Sequence, residues 1–185
     1  GLGDVYKRQV EYDAEGPQVH VKTFDQDEFI RPDTNVETLR KLPTVFKSDG
    51  TVTAATSAPL SDGTGFVVVM SGEKVKALNV KPIARFVSFK AVGVDPKLMG
   101  IGPVYAIPEV LKSANLTIDD IDLVELNEAF AAQTLASMRE TGLSADKTNV
   151  NGGAIALGHP LGATGAMLTA RLLSEMKKRP DTRYG

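Results

Sequence analysis

Cysteine is absent from the 185-residue sequence, which excludes disulfide bonds and metal sites built on thiolates. No apolar run approaches the roughly 18 residues of a membrane-spanning helix, and no charged start followed by an apolar core indicates a secretory signal. The formal net charge of −2 gives no indication of a nucleic acid or an anionic membrane as partner. What is present is ordinary for a soluble globular protein, since 42% of the residues are hydrophobic and 24% are charged.

Histidine is also scarce, and one of the two histidines lies in a glycine-rich segment, residues 149–166. Glycine costs backbone entropy on folding, so a dense cluster indicates positive φ angles or the close approach of a ligand or another backbone. His159 precedes a predicted helix, whose N-terminal dipole favours a neutral imidazole able to accept a proton. The glycine spacing fits neither a P-loop nor a dinucleotide-binding fingerprint. We predict an active-site loop; the alternative is that His159 only bonds a backbone carbonyl in a tight turn.

Strand-like and helix-like segments alternate in the second half of the chain, which predicts an α/β domain with helices layered on a sheet. The run 66–70 is ambiguous, because its valines favour a strand but it leads into a helical segment, residues 73–78. The predicted strands are residues 18–24, 83–92 and 121–126, and the predicted helices are a short one ending at Lys41 and longer ones over residues 103–114, 128–140 and 163–178. His20 alternates with apolar residues in the first strand and is interpreted as a surface or structural histidine.

Asn127 lies where a predicted strand meets a predicted helix. Asparagine is a good helix N-cap, so this residue can be purely structural. Junctions at the carboxyl ends of strands are also where α/β proteins place their ligands. Both interpretations of Asn127 stand at this point.

Taken together, the segments around Asn127 and His159 resemble motifs of the thiolase family, the acyltransferases that cleave or form 3-ketoacyl-CoA. Residues 127–131 resemble the family's Asn-Glu-Ala-Phe block, and residues 151–166 resemble its Gly-His-Pro block. Residues 49–54 resemble its Gly-Thr-Val-Thr-Ala segment, residues 60–63 the element that follows, and residues 99–103 another of its turns. The resemblance covers about residues 27–185 in the family's order.

The resemblance implies an α/β fold of the thiolase type, with αβαβα layers, that is incomplete and mostly its C-terminal half. Residues 10–58 would be the tail of the substrate-binding loop region, and residues 59–79 the last piece of the N-terminal domain. Residues 80–185 would be the C-terminal domain, truncated before its final cysteine segment. Residues 1–9 are interpreted as foreign or unrelated sequence.

The resemblance also implies roles for individual residues. The family uses a cysteine nucleophile, a histidine base and a second cysteine as acid/base. His159 is similar to that base, which is also an oxyanion donor, and Asn127 to the asparagine that positions a water in the oxyanion site. The implied substrate- and CoA-binding residues are Ser57, Ala58, Phe130, Gly152 and Gly153. Ala58 stands where the family commonly has a serine near the pantetheine arm, so Ser57 is the weaker candidate for that hydrogen bond.

The chain has neither cysteine, and truncation at both ends explains this better than a change of function. The implied reaction is thiolytic cleavage of 3-ketoacyl-CoA by CoA, or the reverse Claisen condensation of acetyl-CoA, with the fragment inactive alone. CoA and acyl-CoA are expected as substrates, with no bound cofactor and no metal, in a cytoplasmic homodimer or homotetramer. One alternative is a non-catalytic thiolase-like subunit that binds acyl-CoA or assembles with a partner. Another is a ketoacyl synthase, against which the Asn-Glu-Ala-Phe block argues.

Overall fold

The computed structural model describes residues 5–185. The chain divides into two compact units, the first ending at Thr34 and the second spanning Asn35–Gly185. Residues 1–4 lie outside the described part, so the interpretation of residues 1–9 as foreign sequence falls partly beyond it.

The first unit contains an antiparallel hairpin of two strands, β1 (Val5–Asp13) and β2 (Gly16–Phe24). The strand predicted at residues 18–24 is confirmed, and it begins two residues earlier. Its partner β1 was not predicted, because residues 5–13 mix charged and apolar side chains without the alternation of a half-buried strand. His20 is exposed on β2, where its Nε2 lies 3.8 Å from a carboxylate oxygen of Glu11 on β1.

The second unit is built mainly of helices whose starts and ends carry the residues that usually cap helices. Asn35 and Ser71 each accept a hydrogen bond from a main-chain N–H in the first turn of the helix that follows. Asn115 ends another helix in the left-handed conformation, with φ 55°. The helices are α1 (Val36–Arg40), α2 (Gly72–Leu78), α3 (Gly102–Ala114), α4 (Ala131–Thr141), α5 (Ala154–Leu157) and α6 (Leu161–Lys178), with 3-10 turns at Ala54–Thr56, Pro96–Ile101 and Ile118–Asp120. The helices predicted at residues 103–114 and 163–178 are confirmed to within two residues.

The strand predicted at residues 83–92 is wrong, and the ambiguous run 66–70 does not form a strand either. Both segments are irregular, and within residues 5–185 only β1 and β2 pair as a sheet. A strand satisfies its backbone through a neighbouring strand, and neither segment has one in the described part of the chain. Their apolar side chains face solvent instead, with Phe66 87% and Phe86 75% exposed. The β-branched and aromatic residues of these two segments favour a buried strand, but composition cannot indicate which strand would pair with it.

The segment predicted as a strand at residues 121–126 forms an isolated bridge rather than a strand, but it has hydrogen-bonding neighbours on both sides. The N–H of Val124 donates to the carbonyl of Lys147 at 2.9 Å, and a single parallel bridge joins Val124 to Thr148. On the other side, the N–H of Asp122 donates to the carbonyl of Tyr184 at 2.9 Å. The main-chain N–H of Tyr184 in turn bonds the Asp122 carboxylate, and it holds the pKa of that carboxyl below its usual range. Leu123, 1% exposed, places the core at this segment.

Helix α4 begins at Ala131, later than predicted, and Phe130 rather than Asn127 occupies its N-cap position. The interpretation of Asn127 as a helix cap is therefore wrong. Residues 127–130 form a loop that leaves the end of the buried segment containing Leu123 and Leu126. Asn127 is left free to make contacts outside the helix.

Candidate active site

The side chains of Asn127 and His159 meet although 32 residues separate them in the sequence. Asn127 Nδ2 lies 3.3 Å from His159 Nε2, and both side chains are partly buried. One residue lies on the loop before α4 and the other lies two residues before α6. The two motifs recognised separately in the sequence therefore form one site.

The other ring nitrogen of His159 is also engaged. His159 Nδ1 lies 2.8 Å from the hydroxyl oxygen of Thr164, which is buried in the first turn of α6. The main-chain N–H of His159 reaches the carbonyl of Pro59 at 3.4 Å. Gly158, with φ +93°, turns the chain out of α5, and a Cβ there would overlap the hydroxyl of Ser61. The imidazole is thus held from both edges and from its own backbone.

Asn149 fixes the loop that carries Asn127. Its Oδ1 accepts the N–H of Leu126 at 2.8 Å, and its Nδ2 donates to the Leu126 carbonyl at 2.8 Å. The same Nδ2 donates to Glu128 Oε1 at 2.9 Å. Asn149 adopts a positive φ of 50°, which asparagine tolerates better than most residues. The residues on either side of Asn127 are therefore tied to the start of the glycine-rich segment.

Glu128 ties the same loop to α5. Its Oε2 accepts the main-chain N–H of Ile155 at 3.2 Å. Gly153 packs so closely on this carboxylate that a Cβ at residue 153 would overlap it. Gly152, just before, has a positive φ of 87°. The predicted pair Gly152 and Gly153 thus forms the turn that lies against Glu128.

Helix α6 holds the strand-like segment before Asn127 through an ion pair. Arg171 Nε donates to Glu125 Oε2 at 2.9 Å, and Arg171 Nη2 contacts the same oxygen. The Glu125 side chain is only 5% exposed. A buried carboxylate without its cation is costly, so this pair fixes the position of α6 relative to the Asn127 loop.

The predicted CoA-binding residues Ser57, Ala58 and Phe130 lie together. Ser57 and Phe130 form an antiparallel bridge, and the N–H of Ala58 donates to the Ala129 carbonyl at 3.0 Å. The Ser57 hydroxyl donates to the Thr53 carbonyl at 2.8 Å. The Phe130 ring packs edge-on against Phe46, with the ring centroids 6.3 Å apart. These contacts join the loop after Asn127 to the segment that continues into residues 59–62.

A cavity of approximately 230 Å³ opens beside His159. Of the predicted site residues, only His159 lines it; the other lining residues are Leu60, Ser61, Asp62 and Leu161. Asn127 Oδ1 is buried and has no hydrogen-bond partner among the described residues. Buried acceptors are nearly always paired, so this oxygen offers a place for the hydrogen of a water or a ligand.

Sequence reasoning named Glu128, Asn149 and Thr164 only as parts of motifs and gave them no role. Glu128, for example, bonds Asn149 and Ile155, which lie 21 and 27 residues further along the chain. No local sequence pattern shows contacts at that separation. Thr164 gave a weak signal, since a polar residue in the first turn of a helix after His159 can reach back to it. Within residues 5–185, no group of three or more acidic, histidine or cysteine side chains could hold a metal ion. None of the helices described is long and apolar enough to span a membrane.

An imidazole and a carboxamide that meet in this way can take part in proton transfer. Comparison with known proteins identifies the family. The family model described as "Thiolase, C-terminal domain" matches residues 80–185, and the one described as "Thiolase, N-terminal domain" matches residues 10–73. The chain belongs to the thiolase family, and the predicted thiolase-like α/β fold is confirmed.

Individual relatives are similar over most of this chain. The 3-ketoacyl-CoA thiolase of Bacillus subtilis is 54% identical over 158 residues, and the mitochondrial 3-ketoacyl-CoA thiolase of Homo sapiens is 53% identical over 158 residues. Each match covers 85% of this chain and 40% of the relative. The crystal structure of human mitochondrial 3-ketoacyl-CoA thiolase in complex with CoA matches with a TM-score of 0.77 and 49% identity, covering 86% of this chain and 40% of that one. The chain spans about 40% of the length of these relatives.

Proposed function

We propose that this chain supplies the histidine and asparagine of a thiolase active site. A longer protein that carries it would cleave 3-ketoacyl-CoA with CoA, or condense acetyl-CoA in the reverse direction. The observation that supports this most is the 3.3 Å contact between Asn127 Nδ2 and His159 Nε2, with His159 Nδ1 engaged by Thr164. Two of the relatives are named 3-ketoacyl-CoA thiolases, and one related structure contains CoA.

In the proposed reaction, His159 Nε2 takes the proton of a thiol, and the resulting thiolate attacks the 3-keto carbon. The carbon–carbon bond then breaks, and the acetyl-CoA carbanion takes up a proton from an acid. The deprotonated acid then takes the proton of the CoA thiol, and the CoA thiolate attacks the acyl carbon. The thiolate that leaves recovers its proton from His159. His159 and a water held by Asn127 Oδ1 would stabilise the oxyanion. We propose that the nucleophilic and the acid/base thiols come from parts of the protein outside these 185 residues.

We propose that Ala58 and Phe130 lie along the pantetheine arm and that Gly152 and Gly153 let the backbone approach the acyl group. Ser57 is the weaker candidate for a pantetheine contact, because its hydroxyl hydrogen already goes to Thr53 and only its lone pairs are available. For the whole protein we propose a homodimer or homotetramer, which light scattering after size exclusion would measure.

The proposed domain limits are residues 10–58 for the tail of the substrate-binding loop region, 59–79 for the end of the N-terminal domain and 80–185 for the C-terminal domain. The cytoplasmic location predicted from the sequence remains a proposal, since the named relatives are bacterial and mitochondrial. Tagging the complete protein at its C-terminus and imaging it in its own cell would test that location.

Replacing His159 by Ala tests the function directly. In the full-length protein, His159→Ala should lower kcat/KM for thiolysis of a 3-ketoacyl-CoA by about a hundredfold to ten-thousandfold, because the general base is lost. The matched control is His20→Ala, which removes the exposed histidine of the hairpin and should leave the rate unchanged. Thiolysis near the wild-type rate in His159→Ala would contradict the assignment of the base.

The alternative is a non-catalytic subunit that binds acyl-CoA. It predicts that the full-length protein binds CoA in isothermal titration calorimetry but shows no thiolysis in either variant or in the wild type. Turnover by the wild type excludes that alternative.

A further inference from the structure

We infer that Thr164 is a positioning residue that fixes the tautomer of His159, with the proton on Nδ1 and the lone pair on Nε2. The tautomer follows from hydrogen bonding alone. Its importance for rate rests on the proposed function, in which Nε2 accepts the proton of a thiol.

The hydroxyl of Thr164 has one hydrogen and two neighbouring atoms that could accept it, the Pro160 carbonyl oxygen and His159 Nδ1. Its oxygen lies 3.0 Å from the carbonyl of Pro160, four residues earlier, and 2.8 Å from His159 Nδ1. The hydroxyl donates to the Pro160 carbonyl, which is the backward bond that threonine commonly makes within a helix. The hydroxyl oxygen then has only lone pairs to offer, and the partner at 2.8 Å must be a donor. His159 Nδ1 therefore carries the proton.

The opposite edge of the ring agrees with this assignment. Asn127 directs its Nδ2, a donor, at His159 Nε2 across 3.3 Å, which requires a lone pair on Nε2. The other tautomer would need two changes at once. Thr164 would have to give up Pro160, and Asn127 would have to turn its amide over.

Thr164 is suited to hold this arrangement. It is only 9% exposed, so water competes little for its hydroxyl. Threonine in a helix has restricted χ1 rotation and commonly bonds the carbonyl four residues back, as Thr164 does. Asp62 is the ionisable side chain that lines the cavity with His159, and it is not a partner of Nδ1 in the structure. The hydroxyl therefore plays the orienting part that a third group plays beside a nucleophile and its base.

Nitrogen-15 spectra of ring-labelled histidine in the full-length protein test the tautomer itself. The His159 signal is assigned by its loss in His159→Gln. In the neutral form, wild type should show a protonated Nδ1 and an unprotonated Nε2, and Thr164→Val should show both tautomers. Wild-type spectra with the proton on Nε2 would overturn the inference. This measurement needs no turnover, so it stands whether or not the protein is a thiolase.

Kinetics test the positioning role. Thr164→Val, nearly the same in shape, should lower kcat at least about tenfold with KM within about twofold, because the base loses its alignment but the substrate does not lose its site. Thr164→Ser keeps the hydroxyl and should retain most of kcat. The matched control is Thr169→Val, since Thr169 makes the same backward bond, to Gly165 at 2.8 Å, but is exposed on α6. It should behave as wild type.

Equal kcat in Thr164→Val and Thr169→Val, with the wild-type tautomer kept in both, would contradict the proposal. If Thr164→Val does not fold, the wild-type spectrum and the Thr164→Ser rate still decide. A Thr164→Ser enzyme as poor as His159→Ala would show that the hydroxyl is not what matters.

Discussion

At the scale of single residues, the site depends on side chains that are absent as much as on those present. Gly153 lies against the carboxylate of Glu128, which is held in turn by Asn149 and the N–H of Ile155. A flexible glutamate could move away from an added methyl group, but this one would have to break two hydrogen bonds to do so. The lack of a Cβ at residue 153 is therefore part of the site's geometry.

We expect Gly153→Ala to lower the free energy of unfolding by about 1 to 3 kcal/mol, because it overpacks a region that cannot yield freely. Urea titration of the chain measures this. The control is Gly165→Ala, which adds the same methyl group inside α6, where it meets nothing within 4 Å. That change should be neutral or raise the free energy of unfolding by up to about 1 kcal/mol, since alanine favours helix over glycine. Equal effects of the two substitutions would contradict the steric argument.

At the scale of elements, α6 contacts the site at three points along its length. Thr164 in its first turn meets His159, Arg171 near its middle meets Glu125, and Glu175 near its end meets Asn151. The Glu175 carboxylate accepts from Asn151 Nδ2 at 2.9 Å, from Lys178 Nζ at 3.1 Å and from Arg179 Nε at 2.8 Å. One helix thus fixes both the strand-like segment before Asn127 and the turn that begins the glycine-rich loop.

The hydrogen bond from Asn151, with those from Lys178 and Arg179, lowers the pKa of Glu175 from 4.5 to about 2. A carboxylate with a depressed pKa in the folded state stabilises the fold above its unfolded pKa and loses that contribution as pH falls through the folded pKa. We therefore expect wild type to be more stable than Glu175→Gln at neutral pH. The difference should shrink between about pH 4.5 and pH 2.

Thermal unfolding across that range would measure the Glu175 effect. Glu140→Gln, which removes the same charge from an exposed position on α4, corrects for the change in net charge. A stability difference that stayed constant down to pH 2 would show that these contacts do not lower the pKa of Glu175.

The elements also show what a single sequence can and cannot predict. Helices α3 and α6 were predicted closely, because apolar spacing and capping residues are local signals. His159 and Asn127 were recognised from short motifs, and the structure brings them within 3.3 Å. The start of α4 was wrong, since asparagine is favoured at N-caps but here bonds a residue 32 positions away. Glu128 and Asn149 could not be predicted as supports for the same reason, because their partners are distant in sequence.

At the scale of the whole molecule, the second unit exposes many large apolar side chains and buries few. Residues 66–70 and 83–92 present large side chains to solvent, and the rings of Phe86 and Phe89 lie together with their centroids 6.4 Å apart. The most exposed of these side chains are Phe66, Val68, Val69, Ile83, Phe86 and Phe89. Exposed apolar patches of this kind bind other apolar molecules.

We expect the 185-residue chain to bind the dye ANS strongly, because the dye's fluorescence reports accessible apolar surface. The double variant Phe86→Ser/Phe89→Ser should lower the fluorescence per chain. Tyr12→Ser is the control, since Tyr12 is 81% exposed but lies on the hairpin, apart from these segments in the sequence. Fluorescence that fell as much in Tyr12→Ser as in the double variant would contradict this prediction.

Asn149 has a consequence for how the chain leaves the buried segment. Its main-chain N–H donates to the Val124 carbonyl at 2.8 Å, and its side chain bonds both polar groups of Leu126. Asn149 alone therefore bonds three main-chain groups of residues 124 and 126. In a sheet, several residues of a neighbouring strand would share these bonds. The chain can turn away directly after Asn149 without leaving Leu126 unsatisfied. Asn127 follows Leu126 and His159 follows the turn after Asn149, and their side chains meet 3.3 Å apart.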